Sequence, residues 1–284
     1  RSSGSGVRKN VAALTARERA DLVYALLTLK EDGTYDYLVE LHRRAFFNPS
    51  WQAHMSYGFL PWHRAYLEVA ERQLQRVVPS VTIPYWDWSV QQRVGAPPFT
   101  SDFMGGDGYL RADAGRAGRP RRGEVTEGPF AYRNGQWRIT VREDGRDYLR
   151  RELGRDGRAP TLSGPADVRR VLDIPVYDRA PYDTSVRSFR NELEGWWSGD
   201  RFGMHNRAHL WVGGNMVPTS SPNDPIFFLN HAYIDKLWAD WRRRHPDAPP
   251  MAPASALDEP LEPFWSELGW EITPRQLVDR QSYA

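Results

Sequence analysis

Apolar positions recur at helical spacing in five stretches of the chain, and the two-residue alternation of a half-buried strand is nearly absent. The first stretch covers about 15–30, where Thr15 and Glu18 form a capping box ahead of Leu22, Leu26 and Leu27, and Asp32 with Gly33 ends it. The second, about 34–46, sets Leu38, Leu41, His42 and Ala45 at i, i+3, i+4 and i+7. His42 therefore belongs to the apolar stripe and faces the core. Asn48, Pro49 and Ser50 break this helix and leave His54 on a loop that Gly58 allows to fold back. Pro61 suits a first helical position, and His63, Tyr66, Leu67, Ala70 and Leu74 share one side of a third helix to about 77. A fourth helix is short: His205 and His209 stand one turn apart on one face, and Gly213 and Gly214 stop it. The fifth opens on Asn223, Asp224 and Pro225 and runs to about 244 with Phe227, His231, Ile234, Trp238 and Trp241 aligned.

Strand-like runs are confined to 81–85 and 137–141. Residues 95–128 read as loops, 145–183 as one or two short helices, and everything beyond 246 as a proline-rich segment wrapping the surface with Trp265 and Trp270 as anchors. The predicted fold is mainly α, a four-helix bundle core holding a dinuclear metal site, with long loops and a few short strands. Residues 1–6 (RSSGSG) read as a tag-like or flexible tail, and 7–284 as a single domain.

Composition narrows the chemistry. The 284 residues, 40% hydrophobic, suffice for a sizeable core. A formal charge of +2, carried mostly by arginine, gives no reason to expect nucleic acid as a partner. No run approaches the ~20 apolar residues of a membrane span. With no cysteine, disulfides and thiolate ligands are excluded.

Six of the seven histidines fall into two sets, His42, His54 and His63, then His205, His209 and His231. A lone histidine on an apolar face is more often a satisfied core residue than a ligand. Here four inward-facing helical imidazoles converge with two more, and burying unpaired polar nitrogens costs ~1–3 kcal/mol apiece. Metal coordination removes that cost. His245, after Arg242, Arg243 and Arg244 at a helix end, reads instead as solvated or dipole-stabilising. Zinc is the competing metal, but His205 to His209 carries Asn206 where a zinc protease has its general-base glutamate. Two sets of three neutral ligands leave each ion open, which suits copper cycling between Cu(I) and Cu(II) with dioxygen.

Four segments together resemble the type 3 dicopper tyrosinase family, of the Streptomyces-like bacterial kind: SYGFLPWHR (56–64), PYWDW (84–88), HNRAHLWVGG (205–214) and SPNDPIFFLNH (221–231). The likeness runs from about Val7 to Tyr283. It implies a polyphenol oxidase with two copper ions and dioxygen as co-substrate, ortho-hydroxylating monophenols and oxidising o-diphenols to o-quinones. By that resemblance His42, His54 and His63 bind one copper, and His205, His209 and His231 the other. Glu194 and Asn206 hold a water that takes the phenol proton; the plainer reading of Glu194 is an ion pair with a surface arginine. Phe227 packs over the site, and Leu210, Val217, Thr219, Ser221 and Asn230 join it in contacting substrate. The apolar Leu210 leaves the entrance without one charge that could attract an acidic substrate.

The chain departs from the family at Asn230, where histidine is usual, at Arg43 after the first ligand, and in a segment 197–204 about three residues longer. The resemblance also implies an open, active-form core, a small copper-delivery partner protein, and either secretion with that partner or a cytoplasmic location. Two alternatives remain: a catechol or o-aminophenol oxidase of secondary metabolism without hydroxylase activity, and a haemocyanin-like oxygen carrier.

Overall fold

The computed structural model describes residues 6–197, 202–280 and 282–284. The five periodic stretches become α1 (Ala16–Glu31), α2 (Thr34–Phe47), α3 (Phe59–Val77), α6 (Met204–Val212) and α7 (Ile226–Arg244), with α4 (Pro165–Leu172) and α5 (Phe189–Glu194) preceding α6. Capping chemistry sets several boundaries. The Thr15 hydroxyl accepts the Glu18 N–H at 3.1 Å, and the Glu18 carboxylate accepts the Thr15 N–H at 2.8 Å. Gly33, at φ 84°, makes the left-handed turn from α1 into α2. Asp224 caps α7 by accepting the Ile226 N–H at 3.0 Å. α3 begins at Phe59, two residues before the expected start. Pro61 is still tolerated there, because the first four amides of a helix have no internal acceptor.

The expected strands do not form. Residues 81–85 and 137–141 form no ladder, and among the described residues β pairing is limited to isolated bridges such as Asn10 with Tyr85. Their backbone groups are taken by side chains and loops: Glu71 accepts the Ile83 N–H at 2.8 Å, Gln75 donates to the Val81 carbonyl at 3.0 Å, and Asn223 donates to the Val141 carbonyl at 2.8 Å. The region beyond 246 is also more regular than expected, with α8 (Phe264–Leu268) and α9 (Pro274–Leu277). Its anchor is Phe264, fully buried 5.2 Å from the Trp62 ring, whereas Trp265 is exposed. Trp270 is half-buried under the Arg72 guanidinium.

Helices α2, α3, α6 and α7 surround the centre, α1 covers α2 and α3, and α5 packs on α6. Buried arginines join these parts. Arg64 on α3 donates to Asp235 on α7 at 2.6 Å, lies 4.0 Å over Trp238, and donates to the Leu277 and Val278 carbonyls at 2.9 and 2.7 Å. Arg151 makes two bonds to Asp224 at 2.8 and 2.9 Å, tying the long loops to the start of α7. Such charges persist inside only because each is paired and hydrogen-bonded. His245 departs from its expected solvated role: it is half-buried with Nε2 2.7 Å from the Leu172 carbonyl, joining the end of α7 to α4. No helix of the described residues is long and apolar enough to cross a membrane.

Candidate metal centre

His42 comes from α2, His63 from α3, His205 and His209 from α6, His231 from α7, and His54 from the loop before α3. Within each triad the donor nitrogens lie within 4.8 Å of one another. Nε2 of His42 is 3.1 Å from Nε2 of His54, and Nε2 of His205 is 3.1 Å from Nε2 of His231. Two imidazole nitrogens each at about 2.0–2.1 Å from one ion and separated by that distance subtend an angle of about 100°, which fits a single metal ion. Nε2 of His63 and Nε2 of His209 are buried without a partner among the described residues.

The opposite nitrogens fix the tautomer. Nδ1 of His42 faces the Thr219 carbonyl at 2.9 Å, that of His63 the Phe59 carbonyl at 2.9 Å, that of His205 the Glu194 carbonyl at 3.1 Å, and that of His209 the Met216 carbonyl at 2.7 Å. A carbonyl oxygen only accepts, so each of these Nδ1 atoms carries the hydrogen and each Nε2 keeps a free lone pair. Burial also holds all six imidazoles neutral, the form a metal requires. It lowers His42 to about 3 and His209 to about 4, and puts the other four well below the usual histidine range.

The triads meet where the His63 and His231 rings stack, 4.4 Å apart at 12°. Phe227 supports both, stacked 4.2 Å from His231 and edge-on 4.8 Å from His42. Above them opens a cavity of about 230 Å³, walled by His42, His54, His205 and His209 together with Glu194, Asn206, Leu210, Val217, Thr219 and Ser221. Pockets for drug-sized ligands run to about 300–1,000 Å³, so this one suits a single substituted ring.

Glu194 ends α5 and is buried, its carboxylate accepting the Met55 N–H at 2.6 Å and the Arg190 guanidinium at 2.8 Å. The arginine expected at the surface is thus an interior one, also paired with Asp178 at 2.8 Å. Burial pushes the Glu194 carboxyl up, and Arg190 opposes the rise. Asn206 accepts from His205 Nδ1 at 2.9 Å and leaves its buried Nδ2 unpartnered.

Gly195 makes the close approach of α5 to α6. At φ 106° its missing Cβ would fall 2.2 Å from the Gly203 carbonyl oxygen and 2.9 Å from the Asn206 Cβ. Gly195→Ala is therefore expected to destabilise the fold by about 2 kcal/mol or more, from positive-φ strain and overpacking together. Chemical denaturation measures this; an unchanged midpoint would contradict the close approach.

Two expected substrate contacts are not on the cavity wall. Phe227 lies beneath the imidazoles, and Asn230 is fully buried, accepting from Trp88 Nε1 at 3.0 Å. Adjacent residues on a helix diverge by about 100°, so Asn230 faces away from the site that His231 enters. Arg43 pairs with Glu40 on α2 at 2.8 Å, away from the cavity wall. Residues 198–201 of the lengthened segment lie outside the described residues. Pro218, within the 217–221 loop expected to control substrate access, is also on the wall; sequence reasoning missed Phe46, Trp196, Phe202 and Arg158, which complete it. Phe46 and Trp196 each sit within four residues of a site residue already recognised, a signal that could have found them; Arg158 had none.

A family model described as the common central domain of tyrosinase matches residues 32–244. A tyrosinase of Streptomyces antibioticus is 44% identical over 282 residues, covering 96% of each chain. The chain belongs to the tyrosinase family. A grixazone synthase of Streptomyces griseus is 37% identical over 316 residues, covering 98% of this chain and 97% of that one. The fold is also that of a polyphenol oxidase variant from Thermothelomyces thermophila, with TM-score 0.63 and 24% identity over 89% of this chain and 74% of that one. As a member of the tyrosinase family, the chain is a copper enzyme that oxidises phenols with dioxygen at a dinuclear centre. The oxygen-carrier alternative gains no support over that reading.

Proposed function

We propose that His42, His54 and His63 hold one copper and His205, His209 and His231 the other, and that the enzyme hydroxylates monophenols at the ortho position as well as oxidising o-diphenols to o-quinones. The observation that carries this reading is the convergence of three imidazole donor nitrogens within 4.8 Å in each of two adjoining triads, below a ring-sized cavity. When bound, the copper pair supplies the capture and two-electron reduction of dioxygen. The chain's own residues must position the ring and manage its proton.

A phenol with pKa near 10 is only about 0.1% ionised at pH 7, a handicap of roughly 4 kcal/mol. Glu194 and Asn206 both face the cavity. Each Glu194 oxygen retains a lone pair beyond its bonds to Met55 and Arg190, and Asn206 Nδ2 is a free donor. A water held between them would accept the phenol proton, and the backbone carbonyl of Glu194 with the Asn206 side chain keeps His205 oriented. Catechols arrive with more acidic hydroxyls and depend less on this base. Exposed Phe47, Met55 and Val217, next to or on the cavity wall, would offer an apolar place for a small copper-delivery partner.

The test is Glu194→Gln, assayed on tyramine and on its catechol counterpart. Monophenol turnover is expected to fall by about 10²-fold, the lower end for loss of a general base, with catechol turnover falling far less. Equal losses would remove the proton-accepting role. The second reading, a catechol or o-aminophenol oxidase, draws on Arg190, which opposes the basicity that burial gives Glu194. Wild-type enzyme that oxidises the catechol but never hydroxylates tyramine would establish it.

A further inference from the structure

Most charge around the cavity is internally compensated. Glu194 is held by Arg190 and the Met55 N–H. Glu143, behind the wall, accepts from the Thr219 hydroxyl and the Ser220 N–H, and Arg43 nearby pairs with Glu40. Arg158 is arranged differently. Among the described residues it is the arginine on the cavity wall, with 58% of its side chain exposed. Asp156, which is not on the wall, takes one edge of the guanidinium, with Nε at 3.0 Å and Nη2 at 2.7 Å, and also accepts the Arg158 N–H at 2.9 Å. Nη1 has no partner among the described residues. The pair is thus locally braced, with its arginine on the cavity wall and its carboxylate off it. A planar fork fixed along one edge is pre-organised to take a second carboxylate on its free nitrogen.

We propose that Arg158 makes the site selective for phenols and catechols bearing a carboxylate on the substituent remote from the hydroxyl, with Nη1 donating to that carboxylate as the ring enters. This rests on the reading that the cavity admits phenols. The charge absent at Leu210 is supplied from the 155–160 loop, a different part of the chain. An exposed ion pair is modest in strength, so selectivity of about three- to tenfold is expected.

The test uses the copper-loaded full chain with 3-(3,4-dihydroxyphenyl)propionic acid and its neutral methyl ester. In Arg158→Gln the ratio of kcat/KM for acid over ester is expected to fall about three- to tenfold, carried by KM. Arg158→Glu should lower it further, and Arg158→Lys should retain more of it than the glutamine variant. In the wild type the ratio should decline as ionic strength rises, because the Debye length is only about 10 Å at 0.1 M. A ratio unchanged across wild type, glutamine and glutamate variants would overturn the proposal, including the case in which both substrates lose activity in parallel because the loop is disturbed. Failure of the wild type to oxidise even the ester would instead refute the phenol-oxidising reading, and this inference with it.

Discussion

Replacing His42 by alanine is expected to leave one copper per chain and phenol oxidation at background. The first triad would keep only His54 and His63 as donors, while the second triad, anchored through Met216 and Glu194, would stay intact. Loss of a group that merely hydrogen-bonds a ligand costs about 10–100-fold in metal affinity, and loss of the ligand itself costs more. Turnover should fall further than copper content, by at least about 10³-fold, because both ions take part in the reduction of dioxygen. His209→Ala should give the mirror result, emptying the second site and sparing the first. Metal analysis beside an assay on a simple catechol reads both effects. Two coppers retained in either variant, or half the wild-type rate with one, would contradict the assignment.

The copper-free enzyme is expected to lose stability steeply as pH falls from about 6.5 toward 4. In the unfolded chain an imidazole takes its proton near pH 6.5, whereas in the fold burial keeps His42 neutral down to about 3 and His209 down to about 4. Between those values the unfolded chain binds more protons than the folded one, so lowering the pH favours unfolding. Stability is complete above 6.5 and falls until the folded pKa is reached. The slope is about 1.4 kcal/mol per imidazole per pH unit, so at pH 5 these two residues alone withdraw about 4 kcal/mol, against a typical total of about 5–15 kcal/mol. The remaining four histidines shift the same way. Bound copper competes with the proton and should delay the loss. Denaturant midpoints at pH 7.5 and pH 5, with and without copper, check this; a copper-free midpoint insensitive to that change would show that the imidazoles are not buried neutral.

Helical periodicity made the four-helix frame legible, and it did so through the site residues themselves. His42, His63, His205, His209 and His231 all lie on α-helices close to the boundaries expected from Thr15, Gly33, Asp224 and Gly213. The same rule, applied one residue further, would have turned Asn230 away from the cavity and toward Trp88. Strand-like runs were harder. A run such as 81–85 looks like a strand because its apolar residues are buried, but its hydrogen bonds go to Glu71 and Gln75, partners that no local pattern announces. The tail was misjudged for a related reason: tryptophan size favoured Trp265 as an anchor, whereas the hole beside Trp62 accepts Phe264. Arginine was the least legible residue. Arg8, Arg64, Arg151 and Arg190 are fully buried structural cations, and Arg158 is a cavity residue, yet the arginine-rich composition by itself pointed to no role for any of them. Whether a cation lies inside depends on a carboxylate distant in sequence, as Asp235 is for Arg64 and Asp224 for Arg151.

The central claim is that two copper ions are held side by side through imidazole nitrogen alone, and metal analysis joined to X-ray absorption on the purified enzyme tests it most directly. The expected result is two coppers per chain, each bound by three nitrogen ligands at about 2.0 Å, the range for imidazole coordination. A single ion per chain, zinc in place of copper, or carboxylate oxygen among the protein ligands would contradict it.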